Sequence, residues 1–327
     1  MKVIALYPIG NNEYDYLKLS LQSIKKIVDE IIVLIDHPFI DNKNKSIIKL
    51  LNTFSAKIYF QSKNKIKKST VDREFLFQLG RKHSGTHFIC IDCDEIISSS
   101  FIIKSNNILK KMKTGEKIMM RWLSTWKNPY FYRIDKKSIW SNMWKDFIVC
   151  DDIKQNYNSN YGFHEPRTIG RNDKLKYLKI EDGCVIHLQF IDWQSFTLKQ
   201  IYYSLHDLFI KKENISKINR KYYYSFVDNL PKLKRIPCKW LKHINNNDYR
   251  NIIKLDNTFF WKKKILRLIK NQDIKQINSL NVWFNKFLCS FYFKKTNRIP
   301  KLPLFEKNKL ILFYIKSTLQ NIMKKND

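Results

Sequence analysis

The chain has 327 residues, of which 44% are hydrophobic, and this content excludes a wholly disordered protein. No apolar run approaches the roughly 18 residues of a membrane-spanning helix, and Met1-Lys2-Val3-Ile4 enters strand-like sequence without a secretory leader pattern, so a soluble cytoplasmic protein is expected. The 61 Lys and Arg against 29 Asp and Glu give a formal charge of +32, which suits anionic partners such as lipid headgroups, nucleic acid or a phosphorylated acceptor, or lysines that are simply solvated.

Residues 2–7 form a short apolar run closed by Pro8 and Gly10, a first strand and its loop. Leu17, Leu21, Ile24 and Val28 then recur at helical spacing, which predicts an amphipathic helix over 14–27. The continuous apolar run 31–35 stops at Asp36 and completes a β-α-β unit. The pattern repeats as a helix over 43–54, a strand over 56–60, a helix over 70–82 and a strand over 87–91. Four strands alternating with three helices predict a doubly wound α/β sheet, whose ligands bind beyond the carboxyl ends of the strands.

Downstream, the spacing predicts a helix near 98–112 and strands over 117–123 and 129–134, within a segment rich in tryptophan and tyrosine that reads as core in preference to a sugar-stacking wall. Residues 183–190 alternate cleanly, with Ile186, Leu188 and Phe190 on one face and His187 on the other. Beyond 192 the pattern is helical, with Phe196, Ile201, Leu205 and Leu208 as the first buried stripe. Residues 201–327 hold 28 Lys and Arg against 8 Asp and Glu, a net +20. The expected division is therefore an α/β domain over 1–205 and a basic, mainly helical appendage over 206–327. Six scattered cysteines, with one C-x-x-C inside a strand, read as reduced thiols.

The chemistry gathers at the end of the fourth strand, where Ile91 is followed by Asp92-Cys93-Asp94-Glu95. If the strand continues, Asp92 and Asp94 share a face while Cys93 and Glu95 point away. Two carboxylates so placed repel unless a cation lies between them, and oxygen donors favour Mg²⁺ or Mn²⁺. Asp36 ends a second strand at the same edge, which an ordinary acidic turn does not predict.

Asn12-Glu13 after the first strand, Asp29-Glu30 leading to Asp36, Arg73 before the fourth strand and Asp92-Cys93-Asp94-Glu95 together resemble family 2 glycosyltransferases of the GT-A fold. Phe163-His164-Glu165-Pro166, followed by His187 on a strand and then a helix, is similar to bacterial enzymes that glycosylate lipopolysaccharide core and related glycans. The resemblance covers residues 1–205. It implies a Rossmann-like mixed sheet and a nucleotide-sugar donor, a UDP-sugar foremost, bound along Pro8, Glu13, Asp36, Arg73 and Asp92. It further implies Mn²⁺ or Mg²⁺ on Asp94 and His187, and a saccharide or lipid-linked acceptor deprotonated by Glu165 with inversion. Asp146, Asp151 and Asp152 are the other candidate bases. One departure is His37-Pro38-Phe39, where many members continue the second strand with Asp-Gly-Ser. The basic tail would then rest on the anionic inner face of a membrane. A competing reading is a nucleic-acid-binding protein or nucleotidyltransferase, but two-metal nucleotidyl transfer usually wants further carboxylates and not a distant histidine. A third, a non-catalytic GT-A module, conflicts with the presence of Asp92, Asp94 and His187.

Overall fold

A computed structural model describes residues 1–10, 16–35, 42–61, 69–135, 139–141, 143–156, 166–169, 174–226, 231–252, 258–282 and 285–296. The chain divides into two compact units: residues 1–192 with 230–255, and 193–229 with 256–327. The helix Trp193–Phe209 runs through position 205, and the segment after Leu230 returns to the first unit.

The first unit opens with strand β1 (Val3–Ile9), helix α1 (Leu17–Ile24), β2 (Glu30–Ile35), α2 (Asn42–Thr53), β3 (Lys57–Phe60), α3 (Ser69–Lys82) and β4 (His87–Cys90). These strands lie in the parallel order β3-β2-β1-β4, the doubly wound arrangement that the alternation of apolar runs predicts. Successive residues of β1 serve opposite cores: Val3, Ala5, Tyr7 and Ile9 pack with Leu17 and Leu21 of α1 and Leu51 of α2. Ile4 and Leu6 pack with Leu76 and Phe77 of α3. Helices on both faces explain why these strands read as ungapped apolar runs.

The sheet then becomes mixed. Next come β5 (Glu95–Ile97), α4 (Ser99–Lys110), β6 (Lys117–Ser124), β7 (Phe131–Arg133), β8 (Trp144–Cys150), β9 (Leu175–Tyr177) and β10 (Cys184–His187). The hairpin partner β8 inserts antiparallel between β4 and β6, and β10 lies between β6 and β5. The run predicted as a strand over 129–134 forms only β7, which pairs with β11 (Leu233–Arg235) in a separate two-stranded sheet. Trp122, Trp126, Tyr132 and Phe147 of the aromatic segment are buried.

Gly80 of α3 sets how closely that helix approaches β4. A Cβ there would lie 2.5 Å from a Phe88 ring carbon, and Phe88 is itself buried edge-on to Phe77. Gly80→Ala therefore loses about 1–3 kcal/mol to overpacking, against a gain of roughly 1 kcal/mol in helix propensity. The expected net result is a lower urea midpoint, whereas a raised midpoint would show that the ring can move aside.

The second unit contains α5 (Trp193–Phe209), α6 (Ile215–Phe226), α8 (Thr258–Ile269) and α9 (Lys286–Thr296), with α7 (Asn246–Asn251) belonging to the first. Its core gathers Leu198, Ile201, Leu205, Ile218, Trp261, Ile265 and Leu288, and includes Ile201 and Leu205 of the stripe expected on α5. Asp207, fully buried, is balanced by Lys221 at 2.6 Å, Lys211 at 3.2 Å and the Tyr222 hydroxyl at 2.7 Å. Burial alone would raise the Asp207 carboxyl, but Lys221, Tyr222 and Lys211 overcome this and hold it below the usual carboxylate range.

Candidate active site

The carboxyl ends of β1 and β4 deliver the acidic segment, but not as an extended strand. β4 stops at Cys90, residues 93–94 turn, and β5 begins at Glu95, whose amide donates to the Asp92 carbonyl at 3.2 Å. The expected alternation across 92–95 is thus replaced by a turn that separates the three acids into different partnerships. The Ser20 hydroxyl of α1 donates to the Asp92 carbonyl, Ser23 accepts from the Ile97 amide, and the Leu188 amide donates to the Asp94 carbonyl. These bonds fix the turn between α1 and the end of β10.

Asp92 sits between two guanidinium groups. Arg73 of α3 donates to its Oδ1 at 2.9 Å, and Arg167 approaches its Oδ2 at 2.9 Å. Burial alone would raise the Asp92 carboxyl, but Arg167 and then Arg73 overcome this and hold it well below the usual carboxylate range. Arg167 also grips Glu95 with both terminal nitrogens, at 2.5 and 2.6 Å. Glu95 is completely buried, accepts from Trp122 Nε1 at 2.6 Å and from the Asp92 amide at 2.9 Å, and is pushed up by that burial although Arg167 pulls it down. Its side chain points into the site, contrary to the alternation expected of a continuing strand.

Arg167 is itself held from below. Asp146 accepts from the backbone amides of Arg167 and Thr168 and from the Thr168 hydroxyl, while the guanidinium lies 4.8 Å from the Phe147 ring centroid and 5.6 Å from that of Trp122. Lys145, on the same strand, has its ammonium 5.4 Å from the Trp122 ring and is pushed down by burial and by Arg167.

His187, at the end of β10, brings Nε2 to 3.2 Å from Asp94 Oδ2 across 93 residues of sequence. The ring is 3% exposed and stacks on Trp122 at 4.1 Å between centroids, with Phe190 edge-on. Its backbone carbonyl accepts from the Thr125 amide and hydroxyl. The polar face expected of His187 is therefore a second covered face, because Trp122 and Phe190 pack over the ring. Stacking sets the ring plane, and Nδ1 has no hydrogen-bond partner among the described residues, in contrast to the usual outer hydrogen bond of a ligating histidine.

The donor set fits a divalent cation of the Mg²⁺ or Mn²⁺ kind. Donors sharing adjacent positions of an octahedral ion with bonds of about 2.1 Å lie about 3 Å apart, close to the observed 3.2 Å. One carboxylate and one imidazole would leave further positions for phosphate oxygens and water. Among the described residues no group of three or more His, Cys, Asp and Glu forms a self-sufficient metal cage.

Of the other sequence-predicted residues, Pro8 lies near the end of β1, where its carbonyl is 3.9 Å from Cys93 Sγ. Glu13, Asp36, His164 and Glu165 lie outside the described residues. Two of the alternative bases have other tasks. Asp146 is the Arg167 anchor, and Asp151 is bound by Arg81 through two hydrogen bonds at 2.9 and 3.0 Å. Asp151 and Asp152 follow the end of β8 that pairs with His87, the opposite edge from Asp92. Arg167, Glu95 and Trp122 were not singled out for the site from the sequence; the signal available was a buried-strand Glu following D-x-D, which has no place in a core without a cation.

The two acids respond oppositely to pH. Asp92, lowered in the fold, contributes stability above its unfolded value of about 3.9, which is lost as pH falls through and below that value. Glu95, raised, opposes folding above about 4.3 and is relieved as it protonates. The urea midpoint should accordingly not fall between pH 7 and 5, rising where Glu95 protonates, and should fall below about pH 4 as the Asp92 contribution is lost, and Asp92→Asn should flatten the acid limb. An unchanged acid limb in Asp92→Asn would contradict the Arg73–Asp92–Arg167 arrangement.

No protein-family model and no curated protein matches the chain. It is similar to several solved structures, including S. aureus TarS at 11% identity and a TM-score of 0.38, over 90% of this chain and 53% of that one. Another is glucosyl-3-phosphoglycerate synthase from Mycobacterium tuberculosis in complex with phosphoglyceric acid, at 18% identity and 0.26, over 38% and 44% respectively. A third is GalNAc-T7 with UDP, GalNAc and Mn²⁺, at 12% identity and 0.34, over 83% and 57%. The chain spans about half the length of each.

Proposed function

We propose that the chain transfers a sugar from a nucleotide-sugar donor, UDP-linked foremost, to a saccharide or lipid-linked saccharide acceptor. The observation that carries this reading is the approach of Asp94 to His187 beside an arginine-clamped Asp92, at the strand ends where an α/β sheet binds its ligands. When bound by Asp94 and His187, Mg²⁺ or Mn²⁺ would offset the charge that grows on the departing diphosphate, more in the transition state than before it.

The protein's own residues have distinct tasks. Asp92, kept ionised by Arg167 and Arg73, is an acceptor suited to a ribose hydroxyl. Trp122 carries the plane of His187 on one ring while its N–H fixes Glu95, so the metal-facing nitrogen and the arginine clamp share one support. Pro8, Glu13 and Asp36 would complete the nucleotide pocket. Glu165 would accept the proton of the attacking acceptor hydroxyl and give inversion, with Pro166 biasing it toward an extended backbone.

The test is release of nucleoside diphosphate from a nucleotide-sugar panel with Mn²⁺ and a saccharide acceptor. Glu165→Gln should lower transfer by about a hundredfold or more while leaving diphosphate binding intact. Full turnover in Glu165→Gln removes it as base, and release of pyrophosphate from a nucleoside triphosphate, in place of sugar transfer, overturns the glycosyltransferase reading.

A further inference from the structure

Helix α8 has two faces of opposite character. Trp261, Ile265 and Ile269 are buried in the core of the second unit. At about 3.6 residues per turn, Phe259, Lys263, Leu266, Arg267 and the following Lys270 fall within about 100° of arc on the opposite side. All five are exposed, Phe259 at 77% and Leu266 at 37%. The helix contains no acidic residue. Lys262 and Lys264 flank the face, with Lys264 4.6 Å from the Phe260 ring centroid.

We infer that this face docks on an anionic lipid bilayer. Solvated lysines alone would explain the charge, but not a phenylalanine left three-quarters in water on the same stripe as three cations. A flat bilayer matches both features: its interface accepts the phenyl and isobutyl groups, and its headgroup phosphates accept the ammonium and guanidinium groups. Phe259 and Lys270 are about 16 Å apart along the axis, so the stripe can lie in the plane of the headgroups. A nucleic-acid backbone would satisfy the cations but offers no apolar layer for Leu266. The second unit adds further positive charge, with Asp207, Glu213 and Asp273 its only acids among the described residues.

The experiment is co-sedimentation of the full chain with phosphatidylcholine vesicles, with and without phosphatidylglycerol, in low and high salt. Binding should require phosphatidylglycerol and weaken with salt. Each basic residue at such a surface is worth about 1 kcal/mol, or about fivefold, so Lys263→Glu with Arg267→Glu should weaken binding by about twenty-five-fold or more. Phe259→Ser with Leu266→Ser should remove the part that survives high salt. All four positions are exposed, and an unchanged circular dichroism spectrum and unfolding midpoint confirm that the variants fold. Equal binding to neutral vesicles, no binding to either, or anionic binding that both double variants retain would overturn the assignment. So would a variant-sensitive affinity for duplex DNA or RNA without any for vesicles.

Discussion

Arg167→Ala costs the first unit about 3–5 kcal/mol at pH 7, a large fraction of the stability of an ordinary domain. Arg167 is 6% exposed, and its guanidinium is the shared partner of Asp92 and of the fully buried Glu95. Its removal strands a carboxylate in the core with, among the described residues, the Trp122 N–H and one backbone amide as its remaining donors. Stranding a charge is far more costly than never having built the pair, because desolvation is then uncompensated. Arg167→Met combined with Glu95→Leu should therefore recover much of the loss, since both charges leave together. Urea denaturation of the three proteins gives the comparison. A loss below about 1 kcal/mol in Arg167→Ala, the range of surface ion pairs, would contradict the buried clamp.

Asp94→Asn should leave the fold intact and remove turnover. The Asp94 side chain is 20% exposed, and an asparagine amide can keep a hydrogen bond to the imidazole, so the unfolding midpoint should move by no more than about 0.5 kcal/mol. Transfer should nevertheless fall by about a hundredfold or more, because outer partners of metal ligands alone are worth 10–100-fold and Asp94 is proposed as a direct ligand. The split between intact stability and lost activity is the signature to seek. Equal loss of both would make Asp94 a structural residue, and no loss of activity would remove it from the metal site.

A doubly wound parallel sheet could be read from the sequence because strands such as β1 and β2, covered on both faces, leave uninterrupted apolar runs, whereas the order β3-β2-β1-β4 could not. The acids at the end of β4 were legible for the same reason, since a run such as Phe88-Ile89-Cys90-Ile91 ends abruptly in charge. Periodicity carries no information about pairing across long separations, so it could not show that Arg167 serves Glu95, 72 residues away. Nor could it show that β8 enters antiparallel between β4 and β6, or that 230–255 returns to the first unit. His187 illustrates the limit: strict alternation set it apart from Ile186 and Leu188 correctly, but could not tell solvent from a second covered face bearing Trp122.

The most direct test of the account is thermal unfolding of the full chain with nucleoside diphosphates and nucleotide sugars, with and without Mn²⁺, in wild type and Asp94→Asn. A ligand that binds only the native state stabilises it by about 2.7 kcal/mol at a hundredfold excess over its dissociation constant. The expected result is stabilisation by uridine diphosphate that requires Mn²⁺ and disappears in Asp94→Asn. A folded wild-type protein that no nucleotide stabilises, or one stabilised equally without Mn²⁺ and in Asp94→Asn, would contradict a donor site built on Asp94 and His187.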